Sequence, residues 1–220
     1  MHTGTSQIDE ISTGERAARI FCASNLVPAP GKYLLAWALS EPDTPLPAPV
    51  FLAETCPGGF YAAAPLPVAW IPGTTLHLTG PLGRGFHLPA IARRVVLVSL
   101  GATPARLLAL IRPALAQGAS VSLLCANPPA NLPLAVEILP PDSLTEMAAW
   151  ADYLALDLPR ERLPELALAA LAGQTMLEVL LETPLPCGGL GECGVCAVVA
   201  GRKIWLACKD GPVFEGRQLI

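Results

Sequence analysis

The sequence is short of several things that would have directed its reading. No apolar stretch runs unbroken for the roughly 18 residues of a membrane-crossing helix, because Pro, Gly or a charge interrupts each one. No block of Lys or Arg is present, and 14 basic against 18 acidic residues leave a net charge of −4, so there is no nucleic-acid footprint. The first sixteen residues, MHTGTSQIDEISTGER, carry acids and no apolar core, so they read as neither signal nor transit peptide, and a cytoplasmic location is expected. Aromatics make up only 5% and His only three positions; His2, His77 and His87 form no spaced ligand set. Between Arg19 and Arg84 there is no arginine, and Lys32 is the one lysine.

What is abundant is proline (24), glycine (19) and apolar side chains (52%), in a length that can bury a core without disulfides. Residues 15–90 hold short apolar runs parted by Pro and Gly, among them GKYLLAWAL, APVFLAE and GGFYAAA, which predict a small antiparallel β-barrel. In TLHLTG, Leu76 and Leu78 alternate with polar neighbours, as in a half-buried strand. The Pro-rich stretch from Glu41 to Pro49 reads as an extended loop.

From residue 91 to 182 the rhythm changes. RRVVLVSLG has the length and composition of a buried strand, and TPARLLALIRPALAQG follows with helical spacing, Thr103 as cap and Pro104 in the first turn. ASVSLLCAN completes a βαβ unit, the seed of a parallel sheet. AVEIL predicts a further strand, SLTEMAAWADYL and RERLPELALAALAG predict helices, and TMLEVLLE predicts a last strand.

Seven cysteines include four within residues 187–208, a crowding that suits metal ligation in a reducing compartment. Cys22, Cys56 and Cys125 lie in apolar surroundings and read as structural. In CGGLGECGVC, Cys187, Cys193 and Cys196 have the spacing C-x5-C-x2-C, and Cys208 follows after AVVAGRKIWLA. That insert reads as a hairpin turning at Gly201-Arg202, which returns Cys208 to Cys196. Gly188, Gly189, Gly191 and Gly194 let the loop turn tightly and aim N–H groups at sulfur, as an inorganic cluster requires. The spacing is one residue longer in its first gap than the plant-type [2Fe–2S] pattern. Zinc and a disulfide or empty thiol cluster are the alternatives. Glu178, Glu182 and Glu192 are expected as solvated charges near the loop, and Trp205 as a packing residue.

LEVLLETPLPCGGLGECGVC and CKDGPVF resemble the C-terminal end of the electron-transfer subunit of class 1B dihydroorotate dehydrogenase, of the ferredoxin-reductase superfamily. GPLGRGF, residues 80–86, resembles the segment joining barrel and nucleotide domain there. The resemblance implies a ferredoxin-reductase-like split barrel that binds FAD (15–90), a Rossmann-like parallel-sheet domain that approaches NAD (91–182) and a small [2Fe–2S] subdomain (183–220). It implies Cys187, Cys193, Cys196 and Cys208 as cluster ligands, Gly80, Pro81, Leu82, Gly83 and Gly101 as cofactor-binding positions, and a catalytic oxidoreductase subunit as partner. The chain departs from the family where an Arg-x-x-Ser motif should serve the flavin, and where a Gly-rich turn is reduced to Gly101 in SLGATPARL. These departures leave open a flavin-free, ferredoxin-like relay or redox sensor on the same scaffold, beside a zinc-stabilised interaction module.

Overall fold

A computed structural model describes residues 1–11, 17–39, 46–173 and 175–220. Six strands close an antiparallel barrel: β1 (His2–Ile11), β2 (Ala18–Phe21), β3 (Tyr33–Ala38), β4 (Ala48–Cys56), β5 (Gly59–Ala62) and β6 (Thr75–Leu82), in the order β1-β2-β5-β4-β3-β6. The barrel thus begins at His2 and not near residue 15: TGTSQID pairs with β6 along its length, its small and polar residues facing outward around the buried Ser6 and Ile8. Of the Pro-rich stretch, Glu41–Pro45 lie outside the described residues, whereas Ala48 and Pro49 already belong to β4.

Strand alternation gives the barrel wall two tasks. On β3, Leu34 and Ala36 point into the barrel core with Ile20, Phe60, Leu76 and Leu78, while Tyr33 and Leu35 point out into the core shared with the second half of the chain. β4 repeats this, Val50 and Leu52 inward, Phe51 and Ala53 outward. The outward set is buried, so the barrel and the sheet share one apolar interior.

The second sheet has six strands: β7 (Arg94–Ser99), β8 (Ser120–Leu124), β9 (Val136–Leu139), β10 (Tyr153–Pro159), β11 (Met176–Glu182) and β14 (Val213–Glu215), in the order β14-β11-β10-β7-β8-β9. Neighbours are parallel except β14, which runs antiparallel to β11. Both faces are covered, as parallel sheets require: Val96, Val98, Leu154 and Leu156 on one side, Val95, Leu97, Tyr153 and Ala155 on the other.

Three helical expectations are corrected. The helix expected over residues 143–154 ends at Trp150, as α2 (Leu144–Trp150), and residues 153–159 form β10. Asp152 halts the helix by accepting the backbone N–H groups of Arg93 and Arg94, which docks the chain at the start of the central strand β7, and the run YLALDL then pairs beside it as β10. The helix expected over 103–118 is divided into a 3₁₀ segment (Ala105–Leu110) and α1 (Ile111–Ala116). Pro113 cannot donate to the carbonyl of Ala109, so an α-helical ladder is not available to the turn before it. Likewise RERLPELALAALAG is a 3₁₀ segment (Arg160–Glu165) around Pro164, then α3 (Leu168–Ala172).

After β11 the cysteine loop leads to the hairpin β12 (Ala197–Ala200) and β13 (Lys203–Leu206), turning at Gly201-Arg202 with Gly201 at φ +57°. A single helical turn, α4 (Ala207–Asp210), precedes β14. The C-terminal segment is thereby woven into the second sheet.

Candidate metal centre

The cysteine loop is built on positive-φ glycines: Gly188 (φ +68°), Gly189 (+79°), Gly191 (+74°) and Gly194 (+69°). L-residues avoid this region, so the path of the loop depends on them. At Gly189 there is also a packing reason, since a Cβ would stand 3.3 Å from the Tyr33 hydroxyl.

The loop and hairpin place the thiols in two neighbouring pairs. The Cys193 thiol hydrogen-bonds Cys187, and the Cys208 thiol hydrogen-bonds Cys196, with Cys187 close enough to Cys208 to act on it electrostatically. Cys196 and Cys208 are buried, Cys187 is half-buried and Cys193 is exposed. The hairpin closes the second pair: the N–H of Ala207 donates to the Cys196 carbonyl at 3.1 Å. Among the described residues, no group of three or more His, Cys, Asp or Glu side chains is arranged to hold a metal ion.

Burial pushes the Cys187 thiol up, but the backbone N–H of Gly191, the Cys193 thiol and the N–H groups of Cys193 and Glu192 outweigh it and bring it down to about 6. This is a nest of backbone donors aimed at sulfur, the environment that stabilises a thiolate or a sulfur-rich anion. Burial, and then the Cys196 sulfur, push Cys208 up to about 12 in the metal-free chain. A metal that replaces the shared protons removes that penalty.

Three side chains brace the loop without offering a sulfur. Arg160 donates from Nη1 to the carbonyls of Val195 and Ala197, both at 2.9 Å, on either side of Cys196. The Tyr33 hydroxyl donates to the Cys208 carbonyl at 3.2 Å, and burial, helped by the neighbouring cysteines, pushes its own ionisation well up. Asp210 accepts the N–H of Leu206 at 2.8 Å. Sequence reasoning singled out none of the three. Tyr33 carried one signal, an aromatic polar residue on an otherwise apolar alternating strand. Trp205 packs edge-on to Phe214 at 6.4 Å between ring centres, a packing residue as expected.

The glycines of GPLGRGF lie where the barrel meets the C-terminal segment. A Cβ at Gly83 would meet the Gly211 carbonyl at 2.7 Å and the Pro212 ring at 2.7 Å, and one at Gly80 would meet Leu34 at 2.8 Å. The N–H of Arg84 donates to the Gly211 carbonyl. This strand end, with Pro81 and Leu82 between the two glycines, lies against protein along its Gly80 and Gly83 positions.

Gly101 lies at the carboxyl end of β7, where a Cβ would point at Arg106 Nη2 (3.8 Å) and Glu182 Oε2 (3.9 Å). Arg106 makes a two-pronged ion pair with Asp157, Nε to Oδ2 at 2.9 Å and Nη2 to Oδ1 at 2.8 Å, and a third bond to Glu182 at 2.8 Å. Asp157 is 0% exposed. Burial pushes its carboxyl up against the downward pull of Arg106, while the two carboxylates hold the guanidinium charged; the bidentate geometry is that of an ionised pair. Glu182 is therefore an ion-pair partner and not a free surface charge. Glu178 departs further from the expected solvated charge. It is buried and accepts the Tyr153 hydroxyl at 2.5 Å and the His87 N–H at 2.8 Å.

The comparisons agree with this construction. Residues 182–220 match the model of the iron–sulfur cluster binding domain of dihydroorotate dehydrogenase B. The NADH-dependent reduced ferredoxin–NADP oxidoreductase, a protein of flavin-based electron bifurcation, superposes with a TM-score of 0.75 at 18% identity over 98% of this chain and 89% of its own. The ferredoxin reductase of carbazole 1,9a-dioxygenase gives 0.60 at 16%, over 80% of this chain and 66% of its own. The flavohem-like FAD/NAD binding domain of nitric oxide dioxygenase from Vibrio cholerae O1 biovar El Tor gives 0.53 at 15%, over 81% and 98%. At these identities the structures establish the fold. The chain thus has a ferredoxin-reductase-like fold, and its residues 182–220 are similar to the iron–sulfur cluster binding domain of dihydroorotate dehydrogenase B.

Proposed function

We propose that the chain is an electron-transfer subunit that passes single electrons through a [2Fe–2S] cluster held by Cys187, Cys193, Cys196 and Cys208, in a heteromer with a catalytic oxidoreductase. The observation that carries this reading is the similarity of residues 182–220 to an iron–sulfur cluster binding domain, supported by the loop of positive-φ glycines and the hairpin that carry the four cysteines. A [2Fe–2S] centre takes two protein ligands on each of its irons, which two pairs supply, Cys187 with Cys193 and Cys196 with Cys208. The cluster, when bound, supplies reversible one-electron chemistry.

The residues of this chain do the rest. The N–H groups of Gly191, Glu192 and Cys193 offset negative charge on sulfur, which favours acceptance of an electron. The buried side chains of Tyr33 and Leu35 lie against the loop at Gly189 and Gly188 on its inner side, while Cys193 lies at the surface. Electrons can thus pass to a protein docked on the exposed side, with no substrate bond made or broken within this chain.

The test is a coulometric titration of anaerobically prepared protein with dithionite. Uptake of one electron per chain, with matching loss of visible absorption and return of both on air oxidation, supports the proposal. A colourless chain that takes up no electron and binds zinc contradicts it.

A further inference from the structure

In an open parallel sheet, a dinucleotide lies in the crevice beyond the carboxyl ends of the strands, where the strand order reverses. Here the order reverses between β7 and β10, and the strand ends that face that crevice are Ser99 to Gly101, Asp157 to Pro159 and Glu182. We propose that Arg106 fills this crevice in place of NAD and that the barrel, without the arginine of the flavin motif, holds no FAD, so that the chain's cluster exchanges electrons only with centres on other proteins. This rests on the cluster reading above and narrows it.

Three observations carry the proposal. The first is occupancy. Arg106 is 6% exposed, is bound on one side to Asp157 and Glu182, and on the other lies 5.7 Å above the Phe51 ring of barrel strand β4. The segment that bears it leans on the barrel, with Ala109 in the barrel core and Arg112 paired to Glu54. Among the described residues, the pocket between barrel and sheet lined by Phe51, Ala64, Arg106, Glu182 and Thr183 is about 100 Å³. Ligand pockets run from about 300 to 1,000 Å³, so the remainder admits a few waters, which would also serve the otherwise unpartnered Thr183 hydroxyl.

The second observation is charge. Two carboxylates face one guanidinium, so the crevice is net negative where a pyrophosphate would have to lie. The third is the missing cradle. Anion sites use free N–H groups at a helix start, but Pro104 has none, the N–H of Ala105 is held by the Thr103 hydroxyl at 3.2 Å, and that of Leu107 by the Pro104 carbonyl at 2.9 Å. The barrel lacks the arginine fork of the flavin motif, since no arginine lies between Arg19 and Arg84 and Lys32 is the one lysine there.

The experiment uses the full chain purified anaerobically, with iron, sulfide and acid-released flavin measured on the same sample. FAD and NADH are then each added, and flavin fluorescence, thermal midpoint and cluster absorbance are followed. The expected result is no flavin released, no saturable quenching of added FAD, no rise in midpoint with either dinucleotide, and a cluster bleached by dithionite but not by NADH. Flavin released at one per chain, saturable FAD binding, or bleaching by NADH overturns the inference. Iron and sulfide without flavin supports both this inference and the cluster reading. Flavin together with iron and sulfide sinks this inference alone, and neither flavin nor iron sinks the cluster reading while the crevice remains closed.

Discussion

Replacing Arg106 by Met keeps most of the apolar stem and removes the guanidinium from beside Asp157, which is 0% exposed. Breaking a buried ion pair from one side costs about 3–5 kcal/mol, because the remaining charge has no partner. For a chain of this size each kcal/mol moves the thermal midpoint by about 2–4 °C, so the loss at neutral pH should be roughly 6–20 °C. The pH dependence identifies the cause. In the variant the Asp157 carboxyl is buried without its cation, so its folded pKa lies above its unfolded value of about 3.9. The deficit relative to the parent is therefore smallest below about pH 4 and grows by up to about 1.4 kcal/mol per pH unit as pH rises, until the folded pKa is passed. Adding Asp157→Leu removes the stranded charge and should recover most of the loss. Urea unfolding of the four proteins of this cycle at pH 5 and pH 8 reads all three statements. A loss under about 1 kcal/mol, the range of an exposed pair, or a deficit that does not change with pH, would refute the reasoning.

The other expectations concern the cluster loop and one sheet edge. Cys196→Ser and Cys208→Ser, which break one thiol pair each way, should abolish retention of iron and sulfide while far-UV circular dichroism stays near that of the parent. Gly189→Ala adds a Cβ at φ +79° and 3.3 Å from the Tyr33 hydroxyl, so iron content after reconstitution should fall although no ligand is altered. Arg160→Gln removes donors to the Val195 and Ala197 carbonyls. With about 1 kcal/mol lost per bond over two bonds, iron release to a chelator should accelerate by up to about 30-fold. Asp152, held down to about 2 by the Arg94 guanidinium and the Arg93 N–H, contributes stability that is present above its ordinary carboxylate range and lost as pH falls through about 2. Asp152→Asn should accordingly flatten the acid limb of the stability curve between about pH 4 and pH 2, as read by thermal melts across that range.

Much of the fold was legible because its signals are local. Leu76 and Leu78 alternate, RRVVLVSLG and ASVSLLCAN are continuous apolar runs, and Gly201-Arg202 sits between two short strands; each became the expected element. β10 was not legible, because WADYLALDL reads equally as the end of a helix, and only the docking of Asp152 on Arg93 and Arg94 separates the two elements. The first strand was missed because its partner is distant: His2 pairs with Gly80. The hairpin between Cys196 and Cys208 could be read from its own short strands and turn, and it became the expected element. Arg106, Arg160 and Tyr33 could not, since each acts across a long separation: Arg106 reaches Asp157, Arg160 reaches Val195, and Tyr33 reaches Cys208. A buried acid and a buried arginine give no periodic signal. Their meaning comes from the tertiary pairing alone.

The central claim, a binuclear cluster on the two thiol pairs, is tested most directly by iron and acid-labile sulfide per chain, measured with the visible spectrum of freshly purified, anaerobic protein. About two irons and two sulfides, with bands that bleach on dithionite, is the result predicted for a [2Fe–2S] centre. One zinc per chain, no sulfide and no colour after anaerobic reconstitution would contradict it.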